Sequence, residues 1–97
     1  MKPIFDCELS ADTFDNLKKS CDDKFNKQAF YDFLKEKGKL VSVGGIVIDF
    51  QTNEWTNIEN LDYETDNFYW NTSDIYHFEK YNLKLNDDFI EYVLNRR

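Results

Sequence analysis

Leu40-Val41-Ser42-Val43-Gly44-Gly45-Ile46-Val47-Ile48-Asp49-Phe50-Gln51-Thr52-Asn53-Glu54-Trp55-Thr56-Asn57-Ile58 is the stretch on which the fold depends. β-branched and aromatic residues dominate it, and they favour a pleated, half-buried strand. Two turn signals interrupt it. Gly44-Gly45 suits a two-residue hairpin turn, and Gln51-Thr52-Asn53-Glu54 suits a second turn into Trp55–Ile58. If both form, the region is a three-stranded antiparallel meander. If only the second forms, 43–51 is one long strand with a glycine kink. The sequence leaves both open.

On either side of this stretch the pattern changes to a helical period. Phe14, Leu17 and Cys21 recur at i, i+3 and i+7, which predicts a helix over about 11–22, capped by Ser10. A second helix is expected over about 27–37. Asn26 is its N-cap, and Phe25 and Phe30 sit at the staple positions. Phe30, Phe33 and Leu34 form its apolar stripe, and Gly38 suits the left-handed position past its end. Downstream, residues 59–67 are polar and read as a loop, and Phe68-Tyr69-Trp70 reads as a short strand. Thr72 or Ser73 is expected to cap a helix over about 74–81. Asn86 is expected to cap a last helix over about 87–96, with Asp87 and Asp88 in its positive first turn and Phe89, Ile90, Val93 and Leu94 on its buried face. Arg96 and Arg97 suit its negative end. Residues 3–8 have weak strand character.

The expected fold is therefore α+β: a small antiparallel sheet of three to four strands packed against about four helices. At 97 residues the chain is read as a single domain, 1–97. Seventeen aromatic residues supply the large apolar side chains that a disordered chain lacks.

The formal charge is −7, and it is not spread evenly. Residues 1–39 hold eight acids and eight bases, and 80–97 hold three acids and four bases. Residues 40–79 hold Asp49, Glu54, Glu59, Asp62, Glu64, Asp66, Asp74 and Glu79, with no Lys or Arg. The excess therefore comes from the middle of the chain. Surface segments normally interleave both signs. Both tryptophans, Trp55 and Trp70, lie in the same stretch, with Tyr63 and Tyr69. Trp and Tyr anchor protein interfaces, and a carboxylate field speeds encounter with a basic partner. The same field opposes a direct grip on nucleic acid, which needs Lys and Arg for phosphate.

Several chemistries find no pattern here. His77 is the single histidine and sits between Tyr76 and Phe78, which favours a structural role. Asp62, Glu64 and Asp66 alternate as in a calcium loop, but Asn67 and Ser73 stand where that loop needs Gly and Glu. Gly44-Gly45 lacks the Lys-Ser/Thr of a phosphate loop. Cys7 and Cys21 have no metal or redox spacing and are read as free thiols. The longest stretch without a polar side chain, Val43–Ile48, is far short of the roughly 20 residues of a membrane span. Asn71-Thr72-Ser73 matches a glycosylation pattern that matters only on export. The start of the chain has no signal-peptide pattern, which points to the cytoplasm. No catalytic residue, metal or cofactor is expected.

In size, acidity and aromatic content the chain is similar to the small acidic immunity proteins that neutralise bacterial nuclease toxins, and to phage-encoded inhibitors that mimic DNA. The similarity rests on no motif and carries over no residue. It implies a non-enzymatic inhibitor of a basic, nucleic-acid-acting protein, with an immunity protein first, a phage DNA mimic second and a plain adaptor third. The expected partner-binding residues are Asp49, Glu54, Trp55, Glu59, Asp62, Tyr63, Glu64, Asp66, Tyr69, Trp70 and Asp74.

Overall fold

The stretch that opens the strand region forms a single hairpin. In a computed structural model, which describes residues 1–19 and 27–95, Lys39–Asp49 is one continuous strand, β2, and Glu54–Glu64 is its antiparallel partner, β3. Gly44-Gly45 makes no turn. It lies at a ladder irregularity where Val43 pairs with Leu61 and Ile46 pairs with Glu59, so three steps on β2 match two on β3. Gly45 has φ +70°, the left-handed conformation that glycine adopts most cheaply. The real turn spans 50–53 and is closed by a hydrogen bond from Asn53 N–H to the Asp49 carbonyl, 2.7 Å. Asn53 takes φ 61°, which asparagine tolerates better than most residues.

The other elements, in chain order, are β1 (Lys2–Pro3), α1 (Phe14–Lys18), α2 (Lys27–Glu36), β4 (Phe68–Asn71), α3 (Thr72–Tyr81) and α4 (Asp87–Leu94). The sheet order is β1-β4-β3-β2. Only β1–β4 is parallel, and the two ladders β4–β3 and β3–β2 are antiparallel. The expected α+β fold holds: among the described residues there are four strands and four helices, with the sheet mostly antiparallel apart from the β1–β4 pair.

Residues 59–64 belong to β3 and not to a loop. Leu61 and Tyr63 alternate with Asp62 and Glu64, and Tyr63 pairs with Trp70 of β4. Trp70 is the centre of the core. It is buried, its indole N–H donates to the Leu34 carbonyl at 3.0 Å, and its ring lies 6.0 Å from Phe89 and 6.5 Å from Tyr63. Gly38 serves this packing and does not adopt the left-handed conformation. A Cβ there would lie 2.6 Å from Trp70 Cζ2 and 2.8 Å from Tyr63 Cβ.

Of the expected helix caps Asn86 is as read, whereas Ser10 does not cap α1, whose N-cap position is Thr13, and Asn71 caps α3 in place of Thr72 or Ser73. α3 starts two residues early, because Asn71 and Asp74 form a capping box. Asp74 N–H donates to Asn71 Oδ1, and Asn71 N–H donates to Asp74 Oδ2, each at 2.9 Å. Asn86 caps α4 through Phe89 N–H, 2.7 Å, and its amide also donates to the Pro3 and Phe5 carbonyls. One side chain thus starts a helix and fastens the N-terminal segment. α4 buries Phe89 and Val93, whereas Leu94 is exposed. α1 is shorter than expected at its start, where Ser10 and Thr13 bond each other's backbone N–H in a turn before the helix. The expectations for Cys21, Phe25, Asn26, Arg96 and Arg97 lie outside the described residues.

Candidate functional site

The hairpin turn leads into a cluster of polar side chains around Asp49. Asp49 ends β2 with its side chain buried. Tyr76 and Tyr81, both on α3, donate their hydroxyls to its carboxylate, Tyr76 at 2.6 Å and Tyr81 at 2.7 Å. Lys80 Nζ lies 3.1 Å away, and the Gln51 N–H closes the turn onto it at 2.8 Å. Burial alone would raise the pKa of this carboxyl. The bonds from Tyr76, Tyr81, Lys80 and Gln51 outweigh that effect and hold it well below the usual carboxylate range. The Tyr81 phenol is pushed up to about 12 by its own burial and by the carboxylate it serves.

His77 completes this inner layer. Its Nε2 accepts from the Phe50 N–H at 3.0 Å, and Nδ1 lies 2.7 Å from the Ser73 carbonyl. Nδ1 must therefore carry the proton, which gives the neutral tautomer. Burial holds its pKa below the ordinary value, against the opposing effect of the Ser73 carbonyl and Asp49. Both ring nitrogens serve the backbone, so this histidine joins the hairpin turn to α3. Asp49 and His77 are structural, and Asp49 offers nothing to a partner. Trp70, as a core residue, is the second expected contact that the fold removes from the surface.

The remaining nine expected contact residues divide over the two faces of the hairpin. Cross-strand partners share a face. Asp62, paired with Ser42 and Asn71, and Glu64, paired with Lys39 and Tyr69, lie on one face. Ser42 Oγ donates to Asp62 at 2.6 Å. Tyr69 is half-buried there, and its phenol is pushed up by burial and by the nearby Glu8 and Asp74. Asp74 joins this group from the start of α3. Burial, with Glu8 and Asp62 nearby, pushes its carboxyl up to about 7, although the Asn71 N–H lowers it. Tyr63 lies on the opposite face with Leu61 and Glu59. Glu54 and Trp55 stand at the turn end of β3, and Asp66 in the turn between β3 and β4. Trp55 is 71% exposed.

Among the described residues, none of Glu54, Glu59, Asp62, Glu64, Asp66 and Asp74 has an ion pair; the pairs present are Lys2–Asp88, Lys80–Asp49 and Lys84–Asp87. Most of these acids lie on β3 or at its two ends, and Lys39 stands opposite Glu64 without forming an ion pair. A cleft of about 910 Å³ between α2, α4 and the β3–β4 turn brings Asp32, Glu36, Glu64 and Asp66 around Lys37 and Lys39. Among the described residues no group of three or more His, Cys, Asp or Glu is placed to hold a metal, and no helix is long and apolar enough to cross a membrane.

The charge reading missed the apolar part of this surface. Leu40, Val41, Val43 and Ile46 are exposed on β2, with Ile58 beside them on β3. The signal was present as an uncharged run at the edge of a sheet, but strand order is not visible in a sequence. On comparison with known proteins, the chain matches no family model, no curated protein and no solved structure.

Proposed function

We propose that this protein is a non-enzymatic cytoplasmic inhibitor that binds a basic protein, and that it acts as an immunity protein against a nucleic-acid-acting bacterial toxin domain. The single observation that carries this reading is the group of carboxylates Glu54, Glu59, Asp62, Glu64 and Asp66 along both faces of β3 and the turn after it, without an ion pair among the described residues and with no Lys or Arg between residues 40 and 79.

The mechanism follows from the charge. The carboxylates steer the protein toward the cationic groove in which a nuclease holds phosphate. Trp55, the most exposed aromatic side chain among the described residues, anchors the contact, with Tyr63 and Tyr69 at the margins. Covering the groove excludes the nucleic acid. Neither a covalent step nor a cofactor is needed. A DNA mimic acting on a phage-defence enzyme would use the same carboxylates, and the adjacent genes separate the two. A toxin-domain gene immediately upstream favours immunity, and a run of small phage genes favours mimicry.

Charge reversal tests this function. The variant carrying E59K, D62K, E64K and D66K, checked for native circular dichroism, should lose capture of a basic partner from the native host. Undiminished capture would reduce the acidity to a device for solubility and favour the adaptor reading.

A further inference from the structure

β2 forms one edge of the sheet and β1, only two residues long, forms the other. Among the described residues no strand covers the outer side of β2. Such an edge presents unpaired main-chain groups, and proteins usually protect it with Lys, with Pro, with β-bulges or by keeping it short; β2 has the bulges and lacks the other devices along its middle. β2 runs for 11 residues, with no charged side chain between Lys39 and Asp49 and no Pro. Every residue from 39 to 46 is exposed.

The apolar side chains of this edge are also aligned. Leu40 stands opposite Tyr63, Val43 opposite Leu61 and Ile46 opposite Glu59. The irregularities between these pairs put every third residue of β2 on the face that carries every second residue of β3. The row then continues a groove of about 370 Å³ between β3, α2 and α3, lined by Leu61, Tyr63, Ile75 and Tyr76, with two acids, Glu59 and Glu79, and one base, Lys35, around it. Gly44 and Gly45 have open space where a side chain would be, so another backbone can approach at the middle of the edge.

We propose that β2 is a strand acceptor, and that an extended segment of the basic partner, alternating apolar side chains with Lys or Arg, adds to it as a fifth strand. Main-chain bonds to β2 supply the pairing, and the row Leu40–Val43–Ile46 supplies the apolar contact. Charge decides the occupant. A second copy of this chain would bring two sheets, each with Glu54, Glu59, Asp62 and Glu64 on the strand behind the edge, side by side. A basic strand is attracted to the same carboxylates. The basic character of the partner rests on the function proposed above, whereas the use of the β2 edge does not.

Synthetic peptides test the edge directly in the intact protein. A Lys-Val alternating octapeptide should shift the backbone amide signals of residues 39–48 and slow their hydrogen exchange by about tenfold or more. A Glu-Val octapeptide, and a Lys-Val peptide with alternate valines replaced by proline, should do neither. Binding of the proline-containing peptide at equal strength would reduce the interaction to charge attraction and overturn strand addition while leaving the anionic surface standing. Shifts confined to residues away from β2 would overturn it equally. A free protein that sediments as a dimer with residues 39–48 already protected would make a second copy the occupant. If the Lys-Val peptide adds to β2 while the charge-reversed variant still captures its host partner, the edge survives and the proposed function fails.

Discussion

Ile46 stands directly opposite Glu59 across the β2–β3 ladder, so an exposed branched side chain and an exposed carboxylate share one sheet face. Neither is placed there by the core. Most of the core comes from the helices, the short strand β4 and the segments at 4–5 and 83–85. The hairpin contributes Val47 and the buried carboxylate at its turn, and leaves its open half at the surface. The acidic and apolar parts of the proposed interface therefore belong to one element and meet on one of its faces.

Asp49 should be the most costly acidic residue to change. D49N leaves one acceptor oxygen where Tyr76, Tyr81 and Lys80 converge, and should destabilise the fold by about 3 kcal/mol in urea unfolding. The sign of its pH effect is fixed by its lowered pKa. The native carboxylate stays ionised below the unfolded value of 3.8, so its contribution is full above about pH 5 and is lost as pH falls below that value. D49N should flatten the acid limb of the stability profile between about pH 4 and 2.

Asp74 should behave in the opposite way. Its folded pKa of about 7 lies above the unfolded 3.8, so the native state keeps a proton that the unfolded chain releases. Stability then declines as pH rises from about 4 to 7. D74N retains an oxygen to accept from the Asn71 N–H and cannot ionise. It should gain about 2–4 kcal/mol relative to the parent on going from pH 4 to pH 8, read from paired urea titrations.

Gly38 should tolerate no side chain. G38A places a methyl group into Trp70 and Tyr63 and should cost about 1–3 kcal/mol, with a changed Trp70 emission spectrum as the local signature.

His77 gives a single-residue reading of the interior. As the single histidine its resonances need no assignment by mutation. Its titration midpoint should lie below 6.5, with the proton on Nδ1 in nitrogen-edited spectra. Because the unfolded chain takes up this proton first, stability should fall as pH drops below about 6.5. A midpoint above 6.5 would contradict the bond from the Phe50 N–H.

Much of the fold is legible in the chain because local chemistry specifies it. Asn86 with two following aspartates marks the start of α4, and Gln51–Glu54 marks the real hairpin turn. What was not legible depends on tertiary placement. Residues 59–64 look like a loop because Glu59, Asn60, Asp62 and Glu64 hide the alternation of Leu61 and Tyr63. Gly38 has the position of a helix terminator, but its absent side chain makes room for an indole ring that is distant in sequence. Gly44-Gly45 fits either a turn or a bulge, and the pairing of Ile46 with Glu59 decides for the bulge. For the candidate site, the location of charge was readable, and burial was not. Asp49 has the same side chain as the exposed Asp66, and Trp70 the same as the exposed Trp55, and they differ only in what packs over them.

In the proposed function, the unpaired carboxylates of the hairpin region draw in a basic partner. The most direct measurement is the association rate with the basic protein recovered alongside this one from its host, taken from low to high salt. A fall of about tenfold or more, reduced in the variant carrying E59K, D62K, E64K and D66K, is the result predicted. A rate indifferent to salt, and equal in parent and variant, would contradict the account.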